Sequence, residues 1–334
     1  MRCEKGTILL NKRPALLAGG AVAGKKEGEG PLEDSFDYLL RDGRFGQKSW
    51  EKAETELQNE AVRFALDKAK LSASDLDCIF SGDLLNQCVA SSFAHRATDT
   101  AYLGLYGACS TFAEGLALSA MFVNAGYARY TAACASSHFC SAERQYRYPM
   151  EYGGQRTPTA QWTVTGAGCV LMGFRENAPC IDAVAIGKIV DAGITDVNNM
   201  GAAMAPAAYE TVRQVFDDTA TAPEDYDLIV TGDLGQVGSD LFRDLFLVEC
   251  GCDLKERHMD CGVMMFDPKQ GVNAGGSGAG CSAAVFAGYL LREIQNRRYR
   301  RVLFAGTGAL LSPLSSQQGE SIPGICHAVR IGGV

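Results

Sequence analysis

The apolar positions of this chain follow a helical period in some segments and form short continuous runs in others. Within residues 51–70, Ala53, Leu57, Ala61 and Phe64 recur three or four positions apart, with charged residues between them. This spacing predicts an amphipathic helix. Short apolar runs bounded by glycine or polar residues predict strands. Their alternation with helices is typical of an α/β protein with a parallel sheet.

The same pattern assigns the remaining elements. Residues 112–123 and 283–291 are helical segments that are apolar almost all round, so they must be covered on every side. They predict a helical layer sandwiched between two sheets. The glycine-rich residues 18–30 predict a loop. A second outer helix is predicted near 205–217, and strands at 101–106, 128–135, 163–174, 182–190, 228–231, 262–267 and 301–306.

The chain contains an internal repeat. Two echoes occur in the same order, at offsets of 150 and 172 positions: residues 75–84 with 225–234, and Cys109-Ser110 with Cys281-Ser282. Both members of the first pair read as a buried strand ending in Gly-Asp-Leu. The repeat predicts one duplicated unit, with an N-terminal half at residues 1–176 that carries Cys109 and a C-terminal half at residues 177–334.

Composition narrows the class of protein. The chain has 334 residues, of which 47% are hydrophobic, and its net charge is −8, so it should bury a large core. The acidic balance argues against nucleic acid as a partner. Thirteen cysteines, an odd number with no signal peptide ahead of them, predict a reducing, cytoplasmic setting. Because no apolar run approaches the ~18 residues of a membrane span, any membrane association should be peripheral.

One cysteine stands out by its position. Cys109 lies between the strand predicted at 101–106 and the apolar helix predicted at 112–123. A thiol at a helix N-terminus is favoured as thiolate, and the free N–H groups there can hold an anion. The alternative is a structural role, because free cysteines are among the most commonly buried residues.

Motifs spread over nearly the whole chain carry a family resemblance. They are residues 24–32, 82–87 (Gly-Asp-Leu-Leu-Asn-Gln), 107–111 (Gly-Ala-Cys-Ser-Thr), 136–138 (Ser-Ser-His), 142–149, 151–155, 193–196, 203–207 and 306–313. These motifs resemble the stage V sporulation protein AD family, within the thiolase and ketoacyl synthase superfamily. The resemblance implies a thiolase-like five-layer α/β/α/β/α sandwich built from two duplicated halves. It also implies a role in handling dipicolinic acid (pyridine-2,6-dicarboxylic acid) during spore formation.

The catalytic residues of condensing enzymes are incomplete in this sequence. The superfamily places one histidine after the strand equivalent to 228–231, where this chain reads Gly-Asp-Leu, and another in a glycine-rich approach that here reads Gly-Gly-Ser. Cys326 and His327 lie near the place of a second thiolase cysteine, so Cys109, Cys326 and His327 are vestigial catalytic candidates. Binding without turnover is the first hypothesis. An acyl-CoA or acyl-carrier-dependent acyltransferase or condensing enzyme that uses Cys109 is the alternative, and a scaffold that binds no small molecule is a third.

A planar dicarboxylate calls for guanidinium groups, hydroxyl donors or a helix N-terminus at its two ends. The predicted ligand-binding residues are Cys109, Ser110, Ser136, Ser137, His138, Arg144, Arg147 and Asn273. An alternative for the two arginines is that they form ion pairs with Glu143 and Glu151 at a subunit contact.

The resemblance therefore predicts a non-catalytic binding protein for dipicolinic acid, or for its calcium chelate, that serves uptake into the developing spore alongside membrane proteins. It predicts a homodimer, which we expect to form through the strand at 128–135. Neither a cofactor nor a structural metal is predicted. His95 and His258 are expected at the surface. The five arginines within 292–301 either complement a helix C-terminus or form a docking patch at the spore inner membrane.

Overall fold

The computed structural model describes residues 1–146, 156–254 and 256–332. Within these residues, ten strands build one mixed sheet: β1 (Ala15–Ala23), β2 (Cys78–Gly82), β3 (Ala101–Leu105), β4 (Thr131–Ser137), β5 (Gly166–Gly173), β6 (Cys180–Ile186), β7 (Leu228–Thr231), β8 (His258–Asp260), β9 (Val302–Ala309) and β10 (Gly324–Gly332). Two short strands, Ile8–Leu9 and Tyr38–Leu39, extend it by pairing with β6 and β1. Two more, Trp162–Thr163 and Gly276–Ser277, form a separate parallel ribbon.

The helices lie between and outside these strands. They are α1 (Trp50–Ala69), α2 (Val89–His95), α3 (Thr111–Ala125), α4 (Phe139–Tyr146), α5 (Met200–Thr219), α6 (Gly235–Cys250), α7 (Cys261–Met265), α8 (Ala279–Val285), α9 (Leu291–Gln295) and α10 (Pro313–Gln317). A π-helical turn, Phe286–Leu290, joins α8 to α9.

The strand order is the same in the two parts of the sheet. It runs β3-β2-β4-β5-β1 and then β8-β7-β9-β10-β6, with parallel pairing among the first three strands of each set and antiparallel pairing among the rest. The two sets meet through the pair Ala15 and Cys180. The boundary between residues 176 and 177 stays a prediction.

Helices cover both sets of strands and separate them. α1 packs on β1, β4 and β5, and α5 packs on β9 and β10. Between the sets, α3 contacts strands of both, while α8 contacts β1, β4 and β5. The apolar sequences of α3 and α8 follow from this position, because α8 is buried throughout and most residues of α3 are buried. The result is the expected five-layer arrangement.

A cluster of phenylalanine rings holds the middle layer together. Phe112 from α3, Phe286 from the π-helical turn and Phe304 from β9 are fully buried. Their ring centres lie 5.5, 6.2 and 4.8 Å apart, with the rings edge to face. Because these residues come from both parts of the chain, the two sets of strands share one core.

The predicted loop at 18–30 is wrong for residues 18–23, because β1 lies in the middle of the sheet and is buried throughout; residues 24–30 form turns. The glycines of β1 allow helices to approach both faces. A Cβ atom on Gly20 would lie 2.1 Å from the carbonyl oxygen of Ala61 in α1. A Cβ atom on Gly19 would lie 2.5 Å from the carbonyl oxygen of Ala287, which packs on the opposite face. Gly19 and Gly20 therefore allow helices to pack closely on the strand and do not form a turn.

Two other strand predictions need correction. The strand expected at 262–267 is the short helix α7, because the Asp260 carboxylate accepts from the Val263 N–H at 3.1 Å and caps a helix there. The strand expected to form a dimer, at 128–135, is the interior strand β4, which is paired with β2 and β5. It cannot pair with a second subunit. The edge strand of that part of the sheet is β3.

No helix in the described ranges combines the length and apolar character that are required to cross a bilayer.

Candidate functional site

The backbone around Cys109 confirms the predicted position of this residue at the start of a buried helix. After β3 the chain turns through Ala108, which has a left-handed φ of 52°, and Cys109 then lies in a tight turn directly before α3. Such a conformation is uncommon for a residue with a side chain and turns the chain sharply. The Cys109 side chain is buried and faces the middle of the molecule.

The side chain that meets this thiol is Asp233. Asp233 follows β7, in the Gly-Asp-Leu segment where the superfamily places a histidine. The Asp233 carboxylate lies close enough to the Cys109 thiol for each group to shift the pKa of the other. The same carboxylate accepts from the Gly278 N–H at 2.8 Å and from the Thr307 hydroxyl at 2.9 Å. These contacts keep the acid pointed at the thiol.

The electrostatics of this pair oppose nucleophilic chemistry. Burial, and next the neighbouring Asp233 charge, raise the pKa of Cys109 well above its usual value, although the Gly278 N–H and the Ser277 hydroxyl act in the other direction. Burial also raises the pKa of Asp233, to about 6. The thiolate expected at the helix N-terminus is therefore not favoured, and Cys109 carries its proton at neutral pH.

A second acid supports the loop that presents Asp233. The Asp260 carboxylate accepts from the Thr231 hydroxyl at 2.7 Å and from the N–H groups of Leu234 and Gly235 at 2.8 and 3.0 Å. Burial raises the pKa of Asp260 to about 7. Sequence reasoning noted the missing histidine but gave no role to the acid in its place. Its position after a buried strand was the available signal, because polar residues at strand ends form sites in α/β proteins.

A small cavity of about 50 Å³ lies in front of Cys109. Both parts of the chain line it, and the residues that matter here are Cys109, Glu143, Tyr146, Thr163, Met200 and Ser277. Ala142, Glu143 and Tyr146 share one face of α4, which forms a wall. The walls are mostly apolar, and no lysine or arginine of the described residues lines the space.

The single acid in this lining has a charged partner. The Glu143 carboxylate lies 2.9 Å from the Arg156 guanidinium and accepts from the Thr163 hydroxyl at 2.9 Å. The Arg156 side chain is about one-fifth exposed and lies over the rings of Phe139 and Trp162, which stack 4.1 Å apart. Sequence reasoning missed Arg156, because a single arginine in a polar stretch carries no periodic signal.

Most predicted ligand-binding residues are buried and bonded within the protein. The side chains of Ser110, Ser137 and His138 each lie 2.6 Å from a main-chain carbonyl oxygen. The Ser136 hydroxyl donates to the Glu54 carboxylate at 3.0 Å. Of the predicted set, Cys109 lines the cavity, whereas these four residues do not. Their part in ligand binding stays a prediction.

The predicted arginines lie elsewhere or outside the described residues. Arg144 forms an ion pair with Glu51 and lies over the Trp50 ring, and its side chain is half exposed. Arg147 lies outside the described residues. Asn273 is exposed and donates to a main-chain carbonyl at 2.8 Å. Neither Arg144 nor Asn273 lines the cavity.

The three catalytic candidates do not converge. Cys326 lies among apolar residues that pack against α5, whereas Cys109 belongs to the middle layer. Burial raises the pKa of Cys326 to about 12 and lowers that of His327 to about 4. The Nδ1 atom of His327 accepts from the Gly187 N–H at 3.3 Å. In the described residues, no histidine lines the cavity.

The other histidines correct a prediction. His95 and His258 are buried, although polar neighbours in the sequence predict exposure. The Nε2 atom of His258 lies 2.9 Å from the Thr231 hydroxyl, beneath the loop that carries Asp233.

Comparison with solved structures shows the fold. A 3-oxoacyl-[acyl-carrier-protein] synthase III from Aquifex aeolicus VF5 aligns with a TM-score of 0.57 and 13% identity, over 96% of this chain and 99% of that one. Cerulenin-bound OleA from Xanthomonas campestris aligns with a TM-score of 0.61 and 15% identity, over 97% of this chain and 98% of that one. The thiolase-like fold predicted from the sequence is confirmed.

Comparison with protein families shows the family to which this chain belongs. The family described as Stage V sporulation protein AD matches residues 4–332. The protein of that name from Bacillus subtilis (strain 168) is 44% identical over 319 residues, which are 95% of this chain and 94% of the relative. This chain therefore belongs to the Stage V sporulation protein AD family and has a thiolase-like fold.

Proposed function

We propose that this protein binds dipicolinic acid, or its calcium chelate, without chemical turnover and serves its uptake into the developing spore. The observation that carries the proposal is the contact between Cys109 and Asp233. A buried carboxylate beside the thiol opposes the thiolate that acyl transfer requires. The cavity holds Cys109 where a nucleophile would lie, but its thiol is not activated for attack. Such a cavity is suited to binding a ligand without reacting with it.

The cavity must enlarge to take an aromatic ligand. Its volume is about 50 Å³, whereas small-molecule pockets usually span ~300–1,000 Å³. The α4 wall that carries Tyr146 directly precedes residues 147–155, which lie outside the described residues. Displacement of this wall would open the cavity on the side of Glu143 and its partner Arg156.

Arg156 is the cation best placed to receive a carboxylate. Its guanidinium contacts Glu143, which lines the cavity, and it lies over the Trp162 ring. A ligand carboxylate that replaces Glu143 would gain a guanidinium partner beside an aromatic surface. Arg144 is exposed and paired with Glu51, so it serves as the matched control.

The test is a calorimetric titration of the full chain with dipicolinate, with and without calcium. We expect saturable binding that is weakened at least tenfold in Arg156→Gln and unchanged in Arg144→Gln. An Ala309→Leu substitution in the cavity lining should weaken binding, whereas Ala97→Leu at an exposed position should not. A flat isotherm under both calcium conditions would overturn the proposal.

The second candidate is an acyltransferase. It is favoured by the placement of Cys109 at a helix N-terminus, in a cavity built from both parts of the chain. Acid-quench mass spectrometry with a panel of acyl-CoA thioesters separates the two functions. A stable acyl group on Cys109 would support transfer, whereas an unmodified thiol would support binding alone.

Uptake also requires that the protein reach its membrane partners. We propose that the five arginines within 292–301 dock it peripherally on anionic lipid, close to those proteins. Three of the five arginines in 292–301 have partners within the chain. Arg292 bonds Ser35 at 3.1 Å, Arg298 pairs with Glu293 at 2.8 Å, and Arg301 lies 4.0 Å from Asp225. A flotation assay with phosphatidylserine vesicles tests the patch directly. Absence of binding at low salt would remove this role.

A further inference from the structure

Two cysteines face each other across neighbouring strands, away from the cavity. Cys134 in β4 and Cys169 in β5 are directly opposed partners in the antiparallel register. Opposed residues in such a pair have Cα atoms about 4.5 or 5.5 Å apart. Both values lie within the range that a disulfide spans without backbone movement. The backbone of the sheet therefore already holds these residues at bonding distance.

The two side chains lie on the same face of the sheet and touch. Both belong to the apolar cluster beneath α1, and both are buried. The Cys134 and Cys169 thiols are close enough for each to shift the pKa of the other. Cys134 Sγ also lies 3.9 Å from the Gln58 side-chain oxygen. No other pair of cysteines is opposed in the strand registers of the described residues.

A buried histidine completes the cluster. The His95 imidazole lies beside the Cys134 thiol, and its Nε2 atom has no hydrogen-bond partner of good geometry in the described parts of the chain. The neighbouring Cys169 thiol lowers the pKa of Cys134 below its usual value; burial acts in the other direction, and His95 contributes a smaller lowering. His95 also lines an open surface groove of about 420 Å³, so one member of the cluster borders a space at the surface.

We propose that Cys134 and Cys169 are a redox-active pair that forms a reversible disulfide with hydrogen peroxide as the oxidant. The Cys134 thiolate attacks one peroxide oxygen, the O–O bond breaks, and the leaving oxygen departs as water after protonation. The Cys169 thiol then attacks the resulting sulfenic sulfur, and a second water leaves. Two thiols are oxidised and one peroxide is reduced. The proton that the first leaving oxygen takes up is the one that the Cys134 thiol releases.

This inference is independent of ligand binding, because the pair lies beneath α1 and outside the cavity. The arrangement also differs from a metal site. Among the described residues, no three histidine, cysteine or acidic side chains are placed to hold a metal ion. A dithiol with one histidine beside it, and two strands already in register, suits disulfide formation.

The experiment uses the full chain with the four cysteines that are not fully buried changed to serine: Cys3, Cys140, Cys250 and Cys252. After treatment with hydrogen peroxide, the protein is denatured in acid, alkylated and mapped by peptide mass spectrometry. We expect one cross-linked peptide joining Cys134 to Cys169, lighter by two hydrogen atoms and restored by dithiothreitol.

Matched variants separate a specific pair from general oxidation. Cys134→Ser and Cys169→Ser should each abolish the cross-link. His95→Asn should slow its formation several-fold, with the thermal unfolding midpoint measured to show that the variant is folded. Cys78→Ser, at another buried cysteine, should leave the rate unchanged. Alkylation of both thiols after prolonged peroxide treatment, or a cross-link to a different cysteine, would overturn the proposal.

Discussion

The carboxylate of Asp233, just after the end of β7, lies beside the thiol of Cys109, just before the start of α3. In a condensing site the residue beside this cysteine must accept its proton or stabilise its charge. A carboxylate that is buried and anchored by the Gly278 N–H and the Thr307 hydroxyl instead favours the neutral thiol. This chain has a thiolase-like fold with an acidic side chain beside its buried cysteine.

Replacing Asp233 with asparagine should make Cys109 more reactive. The substitution removes the charge that helps to raise the pKa of the thiol, so the thiolate fraction at neutral pH should rise roughly tenfold for each unit by which that pKa falls. The rate of iodoacetamide labelling of Cys109, read by peptide mass spectrometry, measures the effect. Asp240→Asn, at an exposed position, is the control. Equal labelling rates in Asp233→Asn and the native chain would contradict this account.

The buried acid Glu54 should make the protein less stable as the pH rises. Burial, and next the Asp83 charge, raise the pKa of Glu54 from 4.5 to about 8. The folded state therefore binds more protons than the unfolded state between these values, so the free energy of unfolding falls with rising pH across that window. Thermal unfolding midpoints at pH 5 and pH 8 should show the decline.

The matched variant for this prediction is Glu54→Gln. An amide keeps the side-chain shape and can still accept from Ser136 or Ser141, but it has no proton to lose. We expect a smaller fall in the unfolding midpoint between pH 5 and pH 8 than in the native chain. Identical falls in both proteins would show that other groups dominate the pH dependence.

Alanine at position 20 should destabilise the fold severely. A Cβ atom there would lie 2.1 Å from the Ala61 carbonyl oxygen, so α1 would have to move away from β1. Overpacking of this kind costs about 3 kcal/mol of the free energy of unfolding. Denaturant unfolding gives the value. Gly43→Ala, which meets no atom within 4 Å, is the control and should be close to neutral; a neutral Gly20→Ala would show that α1 shifts freely.

We expect a homodimer that uses β3 as its interface. β3 is an edge strand, and its Leu103 side chain is 45% exposed. Edge strands with exposed apolar side chains pair readily, and charge on the edge prevents pairing. Sedimentation at micromolar concentration should show a dimer for the native chain and a monomer for Leu103→Lys. Leu314→Lys, at another exposed leucine, should leave the dimer intact, and a monomeric native chain would contradict the prediction.

The elements that the sequence predicted best are those with strong local periodicity. The helix expected at 51–70 is α1 (Trp50–Ala69), and the strand expected at 228–231 is β7 with the same bounds. The helix expected at 112–123 is the buried α3. Periodicity is a property of neighbouring residues, so it can be read without knowing what the element packs against. In β1 the glycines led to a wrong prediction of a loop, because their role depends on helices from distant parts of the chain.

The candidate site shows the same division. The position of Cys109 at a helix N-terminus followed from the order of elements along the chain. Three features depend on how the two sets of strands pack. They are the contact of Cys109 with Asp233, the ion pair of Arg156 with Glu143, and the burial of Cys326 in a separate apolar cluster. Residues far apart in the sequence leave no periodic trace of their contacts. Local order therefore established the fold and its buried cysteine, whereas the packing of the two parts gave that cysteine an acidic neighbour and its neutral thiol.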